Sequence, residues 1–246
     1  MNCTEIQRTI HDGTLFCRVC HHNRHNACTQ QSDVCIIGKK GFFMNILVNI
    51  LIVILEIKGL YGIIAGHEKG KLLQHGVHAL KYFTVLSNLF AMITAMINIG
   101  FMIIYGQETE LAFWLAELNL MAAVGVMLTF VTVMLYLGRL YGYAEMLKGP
   151  NFELHLSGPL CMAACFLFFL HLPQMTIMST LPALIPVILY GIWYLSNLLI
   201  NGINPGKHTN DFYGFARGGL KTLPIVFAVM ITVTWLIALG LWAVRF

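Results

Sequence analysis

Few residues in this chain can do chemistry, and their spacing is informative. In the stretch Lys81-Tyr82-Phe83-Thr84-Val85-Leu86-Ser87-Asn88-Leu89, Thr84 and Asn88 stand four apart inside a long apolar run. Read as a helix, the same face continues through Ala91, Ala95 and Asn98. Polar groups are costly in lipid, so this stripe is expected to face other helices or a wet cavity. His155 opens a second apolar run. A threonine hydroxyl is a weak nucleophile until a base removes its proton, and an imidazole titrating at about 6.5 can be that base. Asn88, one turn from Thr84, carries an amide that can donate to an oxyanion. Asp211 and Glu153 are the candidates to orient the ring. The bland reading of Thr84 is that it bonds its own i−4 carbonyl or joins two helices.

The elements that must position these residues follow from composition. The chain has 246 residues, 58% hydrophobic and 11% charged, where soluble domains carry about 25% charged residues. That length holds six membrane helices of about 20 residues each with short loops. The expectation is an all-α integral membrane protein, a six-transmembrane-helix bundle occupying residues 42–246. The spans are expected near 42–64, 77–105, 111–143, 154–172, 181–201 and 222–244. The net charge of +4 is modest and its basic residues are scattered, which argues against nucleic acid as a partner. Membrane lipids are the partners expected, without a cofactor.

Within the spans, Asn45, Asn49 and Glu56 share a face of the first. Thr129, Thr132, Tyr136, Arg139 and Tyr143 keep a helical register on the third, and Tyr190, Tyr194, Asn197 and Asn201 on the fifth. Pro159 is expected in the first turns of its helix, where a missing amide costs little. Cys161 and Cys165 are expected to pack as small apolar residues.

Residues 1–41 differ from all that follows. They carry five of the seven cysteines. Cys17 and Cys20 form a C-x-x-C pair, followed by Cys28 and Cys35, with His11, His21, His22 and His25 nearby. Thiolates and imidazoles at such spacing are a weak candidate for a tetrahedral zinc site. Two other readings stand beside it. The stretch is a disordered tail, or it lies outside the working protein, with translation beginning at Met44.

Topology gathers the candidates. With six spans, the loops after the first, third and fifth lie on one side of the membrane. Thr84, His155, Glu56, Arg139, Tyr143 and Asp211 all fall at helix ends or loops on that side. An intramembrane cluster of this kind is a functional hypothesis by default. The same loops hold Lys69, Lys71, Lys148, Lys207, Arg217 and Lys221, which by the positive-inside rule puts that side in the cytoplasm. Lys39 and Lys40, before the first span, vote the other way. The expected location is the cell membrane, as a multi-pass protein.

Lys81-Tyr82-Phe83-Thr84 before an apolar helix, with His155 and a proline shortly after it, resembles the androgen-induced/ADTRP-like family of multi-span membrane threonine hydrolases. The overall form is also similar to uncharacterised bacterial six-helix relatives of that family. The resemblance implies hydrolysis of lipid esters, such as fatty acid esters of hydroxy fatty acids. It implies Thr84 as nucleophile and His155 as its essential partner. In the last large loop, the family's aromatic–proline motif is replaced by Asp211-Phe212-Tyr213-Gly214-Phe215. The alternative is a non-enzymatic multi-pass protein, either a transporter with Glu56, Glu117 and Arg139 along a path, or an assembly protein whose polar faces only pack.

Overall fold

The structure is a computed structural model. It describes the backbone of residues 10–11, 14–15, 27–65, 76–106, 109–203 and 210–246, and side chains from residue 44 onward within those stretches except that of Val77. The chain divides into two units, Met1–Lys40 and Gly41–Phe246. In the first, Ile10–His11 pairs antiparallel with Thr14–Leu15. Of the zinc candidates, Cys17 and Cys20 and the side chains of Cys28 and Cys35 lie outside the described residues.

The second unit is an all-α bundle with six helices long and apolar enough to cross a membrane: Met44–Ile64, Phe83–Tyr105, Phe113–Tyr141, Pro150–Phe169, Ile177–Asn201 and Leu220–Arg245. These are called the first to sixth spans. The protein is a multi-pass membrane protein. The third span is the most enclosed and the sixth the least. Apolar side chains cover the outside, as lipid as solvent requires.

The boundaries differ from the expected ones where local chemistry decides. The third span stops at Tyr141 because Gly142 takes φ +94°, a conformation open to glycine. Its last turns include a π-helical segment, Val133–Leu137. Tyr143 leaves the third-span register and folds back over Gly138, donating its hydroxyl to the Met134 carbonyl at 2.8 Å. The fourth span starts at Pro150, a residue suited to a first helical position, and ends before Leu170, which is extended. Arg245 closes that end by donating to the carbonyls of Leu167 and Leu170 at 2.7 and 2.6 Å.

Starting the helix at Pro150 makes Pro159 an interior residue rather than one of the first turns. It is tolerated because Glu153–Ser157 is a π-helical turn, in which Gly158 N–H bonds the Glu153 carbonyl five residues back. The next bond in that register would run from residue 159 to the Leu154 carbonyl, and proline has no N–H to make it. Asn88 supplies the missing donor from the second span, its Nδ2 lying 3.2 Å from Leu154 O.

The first and fourth spans pack tightly at glycines. A side chain on Gly59 would strike Leu154, one on Gly62 would strike Pro150, and one on Gly158 would strike the Glu56 carboxyl. Small residues at such contacts allow backbone proximity where lipid offers no hydrophobic drive. The fifth and sixth spans meet similarly, with the Phe227 ring lying on Gly191.

The second-span stripe is inward. Thr84, Asn88, Ala91, Ala95 and Asn98 are all buried. Asn98 donates to Asn49 Oδ1 at 3.0 Å and to Asn119 Oδ1 at 2.7 Å, while Asn119 returns a bond to Asn98 Oδ1 at 2.9 Å. Asn49 Nδ2 reaches the Asn45 carbonyl and lies 3.6 Å from Cys165 Sγ. This closed amide cluster joins the first, second and third spans and uses its polar groups on one another.

Candidate functional site

The second span begins after a tight turn, Gly76–Lys81, with Tyr82 extended and Phe83 the first helical residue. The first amides of a helix lack intrahelical partners. Phe83 N–H finds one outside its helix, donating to the Tyr213 hydroxyl at 2.8 Å. The Thr84 side chain lies within hydrogen-bonding reach of the same phenol, as does Tyr190. Tyr190 in turn donates to the Lys81 carbonyl at 2.7 Å. Three hydroxyls from the second span, the fifth span and the last loop therefore converge on one helix start.

Other buried threonines in the bundle behave differently. Thr94, Thr129 and Thr234 each donate to a carbonyl of their own helix three or four residues back. Thr84 meets Tyr213 instead and lines a cavity of about 40 Å³. Its polar lining is Thr84, Thr129, Thr132, Tyr190, Tyr194 and Tyr213. Phe215, Phe227, Met230 and Val187 make the rest largely apolar. The volume suits about two or three waters, or the reacting end of a chain.

The loop bearing Tyr213 is pinned by Asp211. Tyr194 donates to its Oδ1 at 2.5 Å, and Ala216 N–H to its Oδ2 at 2.9 Å. Gly214, at φ +71°, turns the chain between them. The Lys81 ammonium lies 4.9 Å from the centre of the Phe212 ring, a cation–π contact that ties the loop to the turn before the second span. Burial lowers the Lys81 ammonium from its ordinary value. Burial pushes the Tyr213 phenol up to about 12, against hydrogen bonds from Tyr190, Phe83 and Thr84 that pull it back. At neutral pH Tyr213 is a hydrogen-bond donor and acceptor rather than a base.

His155 sits in the π-helical turn of the fourth span, only 2% exposed. Its Nδ1 is 3.0 Å from the Met146 carbonyl, so Nδ1 carries the proton and Nε2 is left as the acceptor nitrogen. That is the tautomer a general base needs. His155 is not among the residues lining the Thr84 cavity. Among the described residues neither side chain hydrogen-bonds to the other. Their helices are braced together one residue away, since Asn88 Nδ2 donates to both the Thr84 carbonyl (2.7 Å) and the Leu154 carbonyl (3.2 Å).

Three expected roles are corrected by these partners. Asn88 is not an oxyanion donor, because its amide is spent on two backbone carbonyls. Asp211 does not orient the His155 ring; it holds Tyr194 and its own loop. Nor does Glu153, which is 5% exposed and pairs with Lys58 at 2.5 Å. The Met146 carbonyl does the orienting. The residues missed were Tyr213, Tyr190 and Tyr194. The two on the fifth span share a register visible in the sequence. Tyr213 lies in a polar loop whose partner is 130 residues away, and no local spacing announces that. Among the described residues, no group of three or more His, Cys, Asp or Glu side chains could hold a metal ion.

No family model, curated protein or solved structure matches this chain.

Proposed function

We propose that this is an intramembrane hydrolase of lipid esters, with Thr84 as nucleophile and His155 as base. The observation that carries this reading is the Thr84 side chain, which meets the Tyr213 phenol and lines a small, largely apolar cavity at the start of its helix. Thr84 Oγ attacks the ester carbonyl and its proton passes to His155 Nε2, relayed by a water between the two helices. The acyl–Thr84 ester forms, and the alcohol leaves with that proton. Water, deprotonated by His155, then attacks the acyl carbonyl; the bond to Thr84 Oγ breaks, the fatty acid leaves, and His155 returns the proton to restore the Thr84 hydroxyl. The Tyr213 hydroxyl, beside Thr84, is the donor proposed for the oxyanion. The apolar walls suit an acyl chain, so fatty acid esters of hydroxy fatty acids, or similar lipids of the cell membrane, are the substrates proposed. The resemblance to the androgen-induced/ADTRP-like family points the same way through Thr84 and His155.

The test is labelling by a lipid-like fluorophosphonate in detergent or nanodiscs. Wild type is expected to label, with loss in Thr84→Ala and His155→Ala at equal folded yield. Full labelling of both folded variants ends the proposal and leaves the packing role.

A further inference from the structure

Away from that cavity, the first and fourth spans close over a carboxyl group that no donor serves. Glu56 is 0% exposed, and among the described residues neither of its oxygens has a hydrogen bond. It is also packed tightly. The position where a Gly158 side chain would begin lies 2.5 Å from Glu56 Oε1 and 3.2 Å from its Cδ, so the carboxyl rests against the bare glycine backbone. Gly158 is the residue whose N–H bonds the Glu153 carbonyl and closes the π-helical turn carrying His155. Glu56 therefore presses on the turn that holds the buried histidine.

Among the described residues no cation pairs with it. On its own span, Lys58 pairs with Glu153 of the fourth. On the fourth span, His155 turns Nδ1 to the Met146 carbonyl, and Cys161 lies in the field of Glu56 without carrying positive charge. The second span has no ionisable side chain from Phe83 until Tyr105 at its far end. A bare carboxylate in such surroundings is far costlier than a neutral acid, which leaves only an O–H and a C=O unserved. In the unfolded chain the same carboxyl sits in water and ionises at about pH 4.3.

We propose that Glu56 is a proton-binding site: the folded bundle holds it as a neutral carboxylic acid, which releases its proton only when the first span lifts from Gly158 and admits water. The consequence for stability follows from linkage. Above about pH 4.3 the unfolded chain has lost this proton and the folded chain has kept it. Stability is therefore greatest at mildly acidic pH and falls as pH rises, for as long as the folded group stays protonated. The site is a pH-sensitive clasp between two helices.

The experiment is infrared spectroscopy and thermal unfolding of the purified full chain in detergent, as wild type and as Glu56→Gln. At pH 7 wild type is expected to show the carbonyl stretch of a protonated carboxylic acid, and the variant to lack it. Glutamine mimics the neutral acid, so the two Tm values are expected to agree at pH 5. By pH 8 wild type should fall below the variant by roughly 5 °C or more. Absence of any protonated-carboxyl band from wild type at pH 7 overturns the proposal. A variant less stable than wild type by the same margin at both pH values overturns it too. The wild-type spectrum stands whether or not the variant folds, and neither outcome depends on the hydrolase reading.

Discussion

The Tyr213 hydroxyl accepts the Phe83 amide proton at 2.8 Å across 130 residues of sequence. That one bond joins the last large loop to the first turn of the second span, next to Thr84. The loop is thus part of the site, and it is tied to a helix end whose amides would otherwise lie buried and unpaired.

Removing that hydroxyl separates capping from catalysis. Tyr213→Phe leaves the ring contacts with Tyr82, Phe212 and Phe215 in place. It is expected to cost about 1–3 kcal/mol of stability, the penalty of leaving the buried Phe83 amide without its acceptor. If the phenol also holds the oxyanion, fluorophosphonate labelling should slow by about 100-fold or more per folded molecule. Thermal unfolding and labelling rates on the same sample read the two effects. A loss of stability with an unchanged labelling rate would confine Tyr213 to capping.

Alkaline pH should find the same residue. Burial pushes the Tyr213 phenol up to about 12 in the folded protein, while an unfolded tyrosine loses its proton near pH 10. Below about pH 10 both states are protonated and the stability is whole. From there to about 12 the unfolded chain ionises first, so stability falls as pH rises. Unfolding measured from pH 8 to 12 should show this slope in wild type and a shallower one in Tyr213→Phe.

Asn88 is predicted to matter for folding rather than turnover. Asn88→Ala strands the Leu154 carbonyl that Pro159 cannot serve. It should cost about 1–3 kcal/mol, the penalty of an unsatisfied buried acceptor. Labelling per folded molecule should stay within about threefold of wild type. A far larger loss at normal stability would return Asn88 to the chemistry.

The asparagine cluster gives a further stability test. Asn98→Leu leaves Asn49 and Asn119 without a shared partner inside the bundle. A loss of about 1–3 kcal/mol is expected in thermal unfolding. Asn98→Leu combined with Asn119→Leu should cost less than the sum of the singles, because the second change removes a group the first has orphaned.

The six spans were legible because length and apolarity alone specify them in lipid. The inward stripe from Thr84 to Asn98 was legible because a helix repeats every 3.6 residues. The roles of individual polar residues were not. Asn88 was read as a donor to substrate. A vacancy created by Pro159, on another helix, claims its amide instead. Asp211 was read as a partner of His155, but Tyr194 of the fifth span and Ala216 of its own loop take both oxygens. Tyr143 follows the third-span register on paper and abandons it at Gly142. In each case the deciding contact lies between segments far apart in sequence or at a backbone irregularity. Periodicity reports neither.

The seat of Phe227 on Gly191 bears on how a lipid would arrive. Between the first and fourth spans, the side chains of Leu154 and Pro150 lie against Gly59 and Gly62. Between the fifth and sixth spans the cavity wall includes a phenyl ring resting on a bare Cα. A ring rotates about two side-chain bonds without moving a helix. An acyl tail would therefore thread in from that flank, and a bulkier residue at position 191 would jam the doorway while sparing the chemistry behind it.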